Sequence, residues 1–220
     1  MRCEKETMLL YAVTDRAWTG KQTLYQQVEC ALKGGVTCVQ LREKELDGEA
    51  FLAEAKEIGA LCRAYGVPFI VNDSVEIALA CGADGVHVGQ SDMDAEQVRA
   101  LAGGRLMLGV SARTVEEALR AQRAGADYLG VGAMFATSTK LDAKAVSRQT
   151  LKEICSAVDI PVAAIGGISR DNILELSGTG INGVALVSAI FAAGDIEGRC
   201  RELKELARRA VGTYDNGRDL

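Results

Sequence analysis

Two aspartates, three cations and a run of hydroxyls are the residues of this 220-residue chain whose types and spacing could do chemistry. Arg42 and Lys44 close the stretch QLREK, which runs from Gln40 through Leu41 and Glu43. Asp73 follows Asn72 in VNDS, and Asp92 ends HVGQSD after His87 and Gln90. Thr137, Ser138, Thr139 and Lys140 follow one another in MFATSTKLD, while Gly166, Gly167 and Ser188 sit in AIGGIS and ALVSAI. Each has an ordinary explanation: solvated charges for Arg42 and Lys44, helix caps for Asp73 and Asp92, loop residues for the hydroxyls, tight packing and capping for the glycines and Ser188. Taken together they offer more. Three cations can grip a diphosphate through forked and point-charge contacts. Two carboxylates delivered by neighbouring strands make a hard-oxygen site for Mg²⁺ bridging to phosphate oxygens. Hydroxyls, amides and one ammonium at a strand end suit a phosphate. His87, the sole histidine, lies in the apolar run GVHVG; it is read as a packed side chain and left out of the chemical step.

Such residues converge only if the fold brings strand ends together. Short apolar β-branched runs occur at 9–15, 38–43, 69–72, 85–89, 107–111, 128–133, 162–166 and 183–189, with helical patterns at 22–33, 49–64, 75–81, 94–102, 115–124, 147–157, 170–177 and 195–212. A phrase in which an amphipathic segment ends in Gly and runs into a strand recurs in ALKGGVTCVQL, ACGADGVHVG, RAGADYLGVG and SGTGINGVALVSAI. Gly suits the left-handed turn that closes a helix. Asp94 with Gln97, and Thr114 with Glu117, have the spacing of capping boxes. Continuous rather than alternating apolar strands imply a parallel sheet covered by helices. Eight such units predict one α/β domain over 1–220, a closed (β/α)8 TIM barrel with its core at about 9–212 and frayed ends at 1–8 and 214–220, in preference to an open doubly wound sheet. In a barrel the strand ends share one mouth, with a phosphate cup commonly after strands 7 and 8. Gly166, Gly167 and Ser188 fit that cup, and QLREK, Asp73 and Asp92 fall at strands 2 to 4.

A net charge of −5 with no Lys/Arg cluster longer than a pair argues against nucleic acid. MRCEKETM has no apolar h-region and no stretch approaches the roughly 18 apolar residues of a membrane span, so neither export nor membrane insertion is expected. Seven scattered cysteines, never spaced Cys-x-x-Cys, fit a reducing cytoplasm. Dinucleotide and phosphate-loop glycine motifs are both missing. The expected partners are small phosphate substrates, with neither nucleic acid nor membrane; a homo-oligomer is compatible with the sequence.

QLREK, VNDSVEIAL, GADGVHVGQSD, LGVSART, GADYLGVGAMFATSTK, AIGGI and GVALVSAI, in this order over about residues 9–192, closely resemble the thiamine phosphate synthase family. The resemblance implies a transferase that joins hydroxymethylpyrimidine diphosphate to a thiazole phosphate with loss of diphosphate. It implies that Gln40, Leu41, Arg42, Glu43, Lys44, Asn72, Ser111 and Lys140 contact the pyrimidine diphosphate and that Asp73 and Asp92 bind Mg²⁺. Thr137, Ser138, Thr139, Gly167, Val187 and Ser188 would hold the thiazole phosphate, and Arg42, Lys44, Ser111 and Lys140 would carry the chemical step. The implied mechanism is dissociative, with charge stabilisation on the leaving diphosphate in place of a base. Where the family pattern reads like Gly-Pro-x-Phe-Pro-Thr, this chain has Ala133 and Ala136, which predicts a more flexible loop and weaker thiazole phosphate binding. A thiazole tautomerase, a related barrel, would need no diphosphate apparatus. A non-catalytic phosphate-binding barrel would bind without turnover.

Overall fold

The computed structural model describes residues 3–20, 22–90, 92–136 and 145–212. Eight parallel strands, β1 (Leu10–Val13), β2 (Cys38–Leu41), β3 (Phe69–Asn72), β4 (Gly85–Val88), β5 (Met107–Ala112), β6 (Tyr128–Val131), β7 (Val162–Ile165) and β8 (Gly183–Leu186), pair in chain order, and β8 closes on β1. The chain is therefore a (β/α)8 barrel. The helices between strands are α1 (Leu24–Lys33), α2 (Gly48–Ala64), α3 (Val75–Cys81), α4 (Ala95–Ala102), α5 (Val115–Arg123) and α6 (Arg148–Ala157), with α7 (Ser188–Phe191) and α8 (Ile196–Val211) after β8.

Local chemistry sets most helix starts. Thr23 and Gln26 form a reciprocal capping box on α1, and Asp47, Ser74, Thr114, Ser147 and Asp195 each accept an amide hydrogen bond from the first turn they precede. At Asp94 the side chain accepts from Glu96, so α4 has a simple cap where the spacing to Gln97 predicts a box.

Strand parity divides the apolar residues into two cores. Val39, Leu41, Val71, Val86, Val88, Leu108, Leu129, Val131, Ala164 and Leu186 point outward and pack under the helices. Tyr11, Val13, Cys38, Ile70, Met107, Tyr128, Ala163 and Ala185 point inward and fill the barrel together with Met8. An inward layer this full leaves no pore, and space opens at the C-terminal strand ends.

Three boundaries differ from expectation. Residues 3–8 are not a loose end: a 3-10 turn spans Lys5–Met8, and Met8 is fully buried as the plug of the barrel floor. Burying that side chain is worth about 1.5–3 kcal/mol, which fixes the segment. The helix expected at 170–177 is a 3-10 turn, Ile173–Leu176, because Asn172 spends its side chain on Ser169 and Gly167 in place of an N-cap bond. The expected strand at 183–189 stops at Leu186, and its last residues form α7, since Ser188 and Ala189 take helical positions as soon as β1 pairing ends.

The floor is tightly closed at Gly183, where a Cβ would collide with the backbone carbonyl of Met8. Backbone cannot yield as a flexible side chain can, so Gly183→Ala is expected to destabilise the barrel by about 1–3 kcal/mol. Urea unfolding measures this; an unchanged midpoint would show that the floor relaxes freely.

Candidate active site

The barrel mouth holds a cavity of about 520 Å³, within the range of small-ligand sites. Its wall follows strand parity: Tyr11 and Val13 from β1, Gln40 from β2 with Arg42 just past its end, and Asn72, His87, Ser111, Gly130, Ala163, Ile165 and Ala185 from the strands that follow. A second cavity of about 490 Å³ lies outside the barrel beside Arg16 and Glu54. Its cation, Arg16, is already paired with Glu54 and Glu43, so the mouth is the better site.

One rim of the mouth, at β2 to β4, is ionic. Lys44 Nζ pairs with Asp73 Oδ2 at 2.8 Å, and Arg42 Nη1 lies 3.4 Å from Asp15 Oδ2. Thr14 Oγ1 accepts from the Arg42 amide at 3.0 Å, tying this loop to β1. Asp73 stands in the left-handed region, φ 63°, an uncommon place for a residue other than glycine, and its amide donates to the His87 carbonyl. Its half-buried carboxyl is pushed above the usual aspartate range, first by burial and also by the Asp92 charge, with Lys44 pulling the other way. Asp92 Oδ2 accepts from the Gly89 amide at 2.7 Å. Two carboxylates thus share one corner at an electrostatic cost.

Glu43 faces elsewhere. Its side chain, only 3% exposed, accepts from Arg16 and from the amides of Lys44 and Glu45. Burial pushes its carboxyl up, but these hydrogen bonds outweigh that and leave it below the usual range. Arg16 also holds Glu54 at 2.7 Å. Glu43 therefore braces the loop that carries Arg42 and Lys44 and does not line the cavity. Leu41 is fully buried on the outward face of β2, so that only its backbone adjoins the site. Strand parity turns the Leu41 side chain away and the Arg16 salt bridge captures that of Glu43, so at these two positions the backbone is what faces the mouth.

The opposite rim, at β6 to β8, is built of backbone. Gly166 and Gly167 have φ of 94° and 65°, and a Cβ on Gly167 would strike the carbonyls of Phe135 and Ala136. Only glycine fits there. Met134 donates to Ile165, Phe135 to Gly166, and Val146 to Ala133, so the chain leaving β6 is stitched onto the β7 exit. Val187 and Ser188 line the same rim where α7 begins. Thr137, Ser138, Thr139 and Lys140 lie outside the described residues.

The floor of the cavity is a hydrogen-bonded row of side chains. Gln40 Nε2 donates to Tyr11 Oη at 2.6 Å, Tyr11 Oη meets Tyr128 Oη at 2.8 Å, Tyr128 Oη meets His87 Nδ1 at 3.2 Å, and His87 Nε2 meets Ser111 Oγ at 3.0 Å. Expected site residues Gln40 and Ser111 thus sit at the two ends of a row whose middle the sequence reading did not assign. Tyr11 and Tyr128 fall inside the apolar runs at 9–15 and 128–133, and His87 reads as packed. Their common signal was parity: each occupies the same inward register as Gln40 and Ser111. Gln90, at the strand-4 end in HVGQSD, lines the cavity and donates to the Ser111 carbonyl, and Arg113, two residues past Ser111, is a lining group the sequence reading did not assign.

Comparison with known proteins accords with this geometry. The family model described as thiamine monophosphate synthase matches residues 10–190. The chain belongs to that family. It is 51% identical over 197 residues to the thiamine-phosphate synthase of Ruminiclostridium cellulolyticum, covering 90% of this chain and 94% of that one. The Clostridioides difficile thiamine-phosphate synthase is 52% identical over 192 residues, with 87% and 91% covered. A solved thiamine phosphate pyrophosphorylase from Pyrococcus furiosus superposes with a TM-score of 0.87 at 37% identity, covering 94% and 99%. A 3-hexulose-6-phosphate synthase structure, TM-score 0.66 at 19% identity, shares the fold. As a member of the thiamine monophosphate synthase family, the chain is a transferase of thiamine biosynthesis. Among the described residues, no helix is long and apolar enough to cross a membrane.

For a divalent cation, the donor set of this family member fits in part. Asp73 and Asp92 present hard oxygens whose mutual repulsion a cation would relieve. Among the described residues no third His, Cys, Asp or Glu joins them, so remaining positions would fall to water or to substrate oxygens.

The raised Asp73 pKa sets a direction for stability. In the metal-free protein, ionising Asp73 costs more folded than unfolded, so its contribution is fullest below the ordinary aspartate value and is lost as pH rises through the raised one. Against Asp73→Asn, whose side chain stays neutral and tolerates the left-handed backbone, wild type should lose relative stability across that acidic window and hold a constant difference above it. Melting temperatures of both proteins from pH 3.5 to 8 check this; a difference that ran the opposite way would mean that Lys44 outweighs burial.

Proposed function

We propose that the cavity joins a pyrimidine carried as its diphosphate ester to a thiazole carried as its phosphate ester, giving thiamine phosphate and diphosphate. The observation that supports this is the placement of two unlike polar rims on opposite sides of one cavity. The ionic rim at β2 to β4 suits a diphosphate. The glycine rim at β6 to β8 suits a smaller phosphate approached by backbone. A protein handling one monophosphate would need only the second.

In this reading the bond from the pyrimidine methylene carbon to the diphosphate oxygen breaks first, and its electron pair leaves on the diphosphate. The electron-rich aminopyrimidine spreads the resulting positive charge until the thiazole nitrogen donates its lone pair to the same carbon. No side chain has to remove a proton. Arg42 forks onto the leaving oxygens and Lys44 adds a point charge, each worth more in a water-poor mouth than in solution. Lys140 is proposed as the third cation. Asp73 and Asp92 would hold Mg²⁺, which when bound neutralises the diphosphate charge. Gln40, Asn72 and Ser111 orient the pyrimidine, while Gly167, Val187 and Ser188, with Thr137, Ser138 and Thr139, fix the thiazole phosphate. Ala133, Ala163, Ile165 and Ala185 give the wall an apolar stretch that keeps water from the cationic carbon. Holding the nitrogen near that carbon supplies the remaining acceleration by proximity. All seven cysteines are free thiols, which supports a reducing, cytoplasmic setting.

The test is thiamine phosphate formation from both substrates with Mg²⁺, beside a chelator control and Arg42→Ala and Lys44→Ala. Each substitution is expected to lower kcat by about 10²–10³-fold, the scale of losing one preorganised charge donor, and chelation to abolish turnover. Binding of the thiazole phosphate without turnover would instead leave a tautomerase or a binding protein.

A further inference from the structure

The floor row takes one direction once each buried proton in it is given a partner, starting from the Gln40 donor. Gln40 Nε2 carries only donors, so Tyr11 Oη accepts from it, and the proton of Tyr11 goes to Tyr128, its other partner at 2.8 Å. Both hydroxyls are fully enclosed, and burial first of all pushes each phenol far above its ordinary range, so they remain neutral donors and acceptors. With its oxygen occupied by Tyr11, Tyr128 directs its own proton at His87 Nδ1. Nδ1 is then an acceptor, the ring carries its proton on Nε2, and that N–H donates to Ser111 Oγ. The Ser111 hydroxyl proton is left to point into the cavity. At the other end Gln40, which also lines the cavity, has spent one amide N–H on Tyr11 and keeps Oε1 as its acceptor.

We infer that Tyr11, Tyr128 and His87 form a polarised relay of positioning residues that holds Ser111 as a donor and Gln40 as an acceptor toward one ring edge. The ligand chemistry this selects is a heteroaromatic ring carrying a ring nitrogen that accepts and an exocyclic N–H that donates. That recognition rests on the proposed pyrimidine reading. The relay itself does not.

A second feature shows that the row is built into the barrel. His87, Gly109 and Tyr128 occupy paired positions on β4, β5 and β6. A Cβ at Gly109 would sit 2.5 Å from His87 Nδ1 and collide with the Tyr128 hydroxyl. The missing side chain of Gly109 is what allows two residues on non-adjacent strands to touch. Gly130 likewise leaves room for the imidazole edge.

His87 is the chain's sole histidine, so its ring nitrogens can be read in the intact enzyme without assignment by mutagenesis. Nitrogen-detected NMR of protein labelled at histidine is expected to show the tautomer protonated at Nε2. Tyr128→Phe removes the donor to Nδ1 and should convert this signal to a tautomer mixture, whereas Tyr11→Phe leaves Tyr128 in place and should leave the tautomer unchanged. Both variants should lower kcat/KM for the pyrimidine diphosphate about tenfold, the scale of one net hydrogen bond, with KM for the thiazole phosphate unaltered. A wild-type ring protonated at Nδ1, or a Tyr128→Phe ring identical to wild type, overturns the relay even in an active enzyme. The expected tautomers in a protein without synthase activity would instead leave the relay standing and remove the pyrimidine reading.

Discussion

The interior of an eight-stranded barrel can accommodate little more than three layers of side chains, and that limit governs the rest of this molecule. Here the space is filled unevenly. Met8, Tyr11, Met107 and Tyr128 occupy the lower layers, while Gly85, Gly109, Gly130 and Gly183 contribute nothing in the same inward register. Large residues on some strands are tolerated because their neighbours are glycine. The result is a solid floor with polar atoms on its upper surface, a base on which a small ligand can be held to fractions of an ångström.

Above that floor the two halves of the mouth use different physics. The β2 to β4 side relies on side-chain charge, with Lys44 set against Asp73 and Arg42 beside Asp15. Such pairs keep cations and carboxylates in place before a ligand arrives, at the expense of a carboxyl at Asp73 that burial and Asp92 make reluctant to ionise. The β6 to β8 side relies on backbone instead, with Gly166 and Gly167 in conformations that bulkier residues adopt only under strain. A chain of net charge −5 attracts anions poorly as a whole. It can bind them only where local groups are arranged in this way.

Much of this was legible in the sequence, and the reasons differ by element. All eight strands were, because a parallel strand buried on both faces must be a continuous apolar run, as GVHV and YLGV are. The helix between β7 and β8 was not: Asn172 looks like an N-cap, but its side chain turns back along the chain, donating to the Gly167 carbonyl and accepting from the Ser169 amide. Arg42, Lys44 and Asp73 could be placed at one rim because strand ends share a mouth. What each side chain of QLREK does was less legible, since consecutive residues alternate between faces, as Leu41 shows, and can be captured by a distant partner, as Arg16 captures Glu43. The link among Tyr11, Tyr128 and His87 was hidden altogether, because contact across β5 depends on the register that places Gly109 between them.

In the proposed function, two separable anion sites, one ionic and one of backbone, flank a single cavity. Calorimetric titration of inorganic diphosphate, with and without Mg²⁺, into wild type and Asp92→Asn tests it most directly when run beside titration with the thiazole phosphate. The account requires diphosphate binding that depends on Mg²⁺ and is lost in Asp92→Asn, with the thiazole phosphate bound equally by both proteins. Diphosphate binding indifferent to Mg²⁺ and to the substitution, or displaced competitively by the thiazole phosphate, would mean that one anion site serves both and would contradict the account.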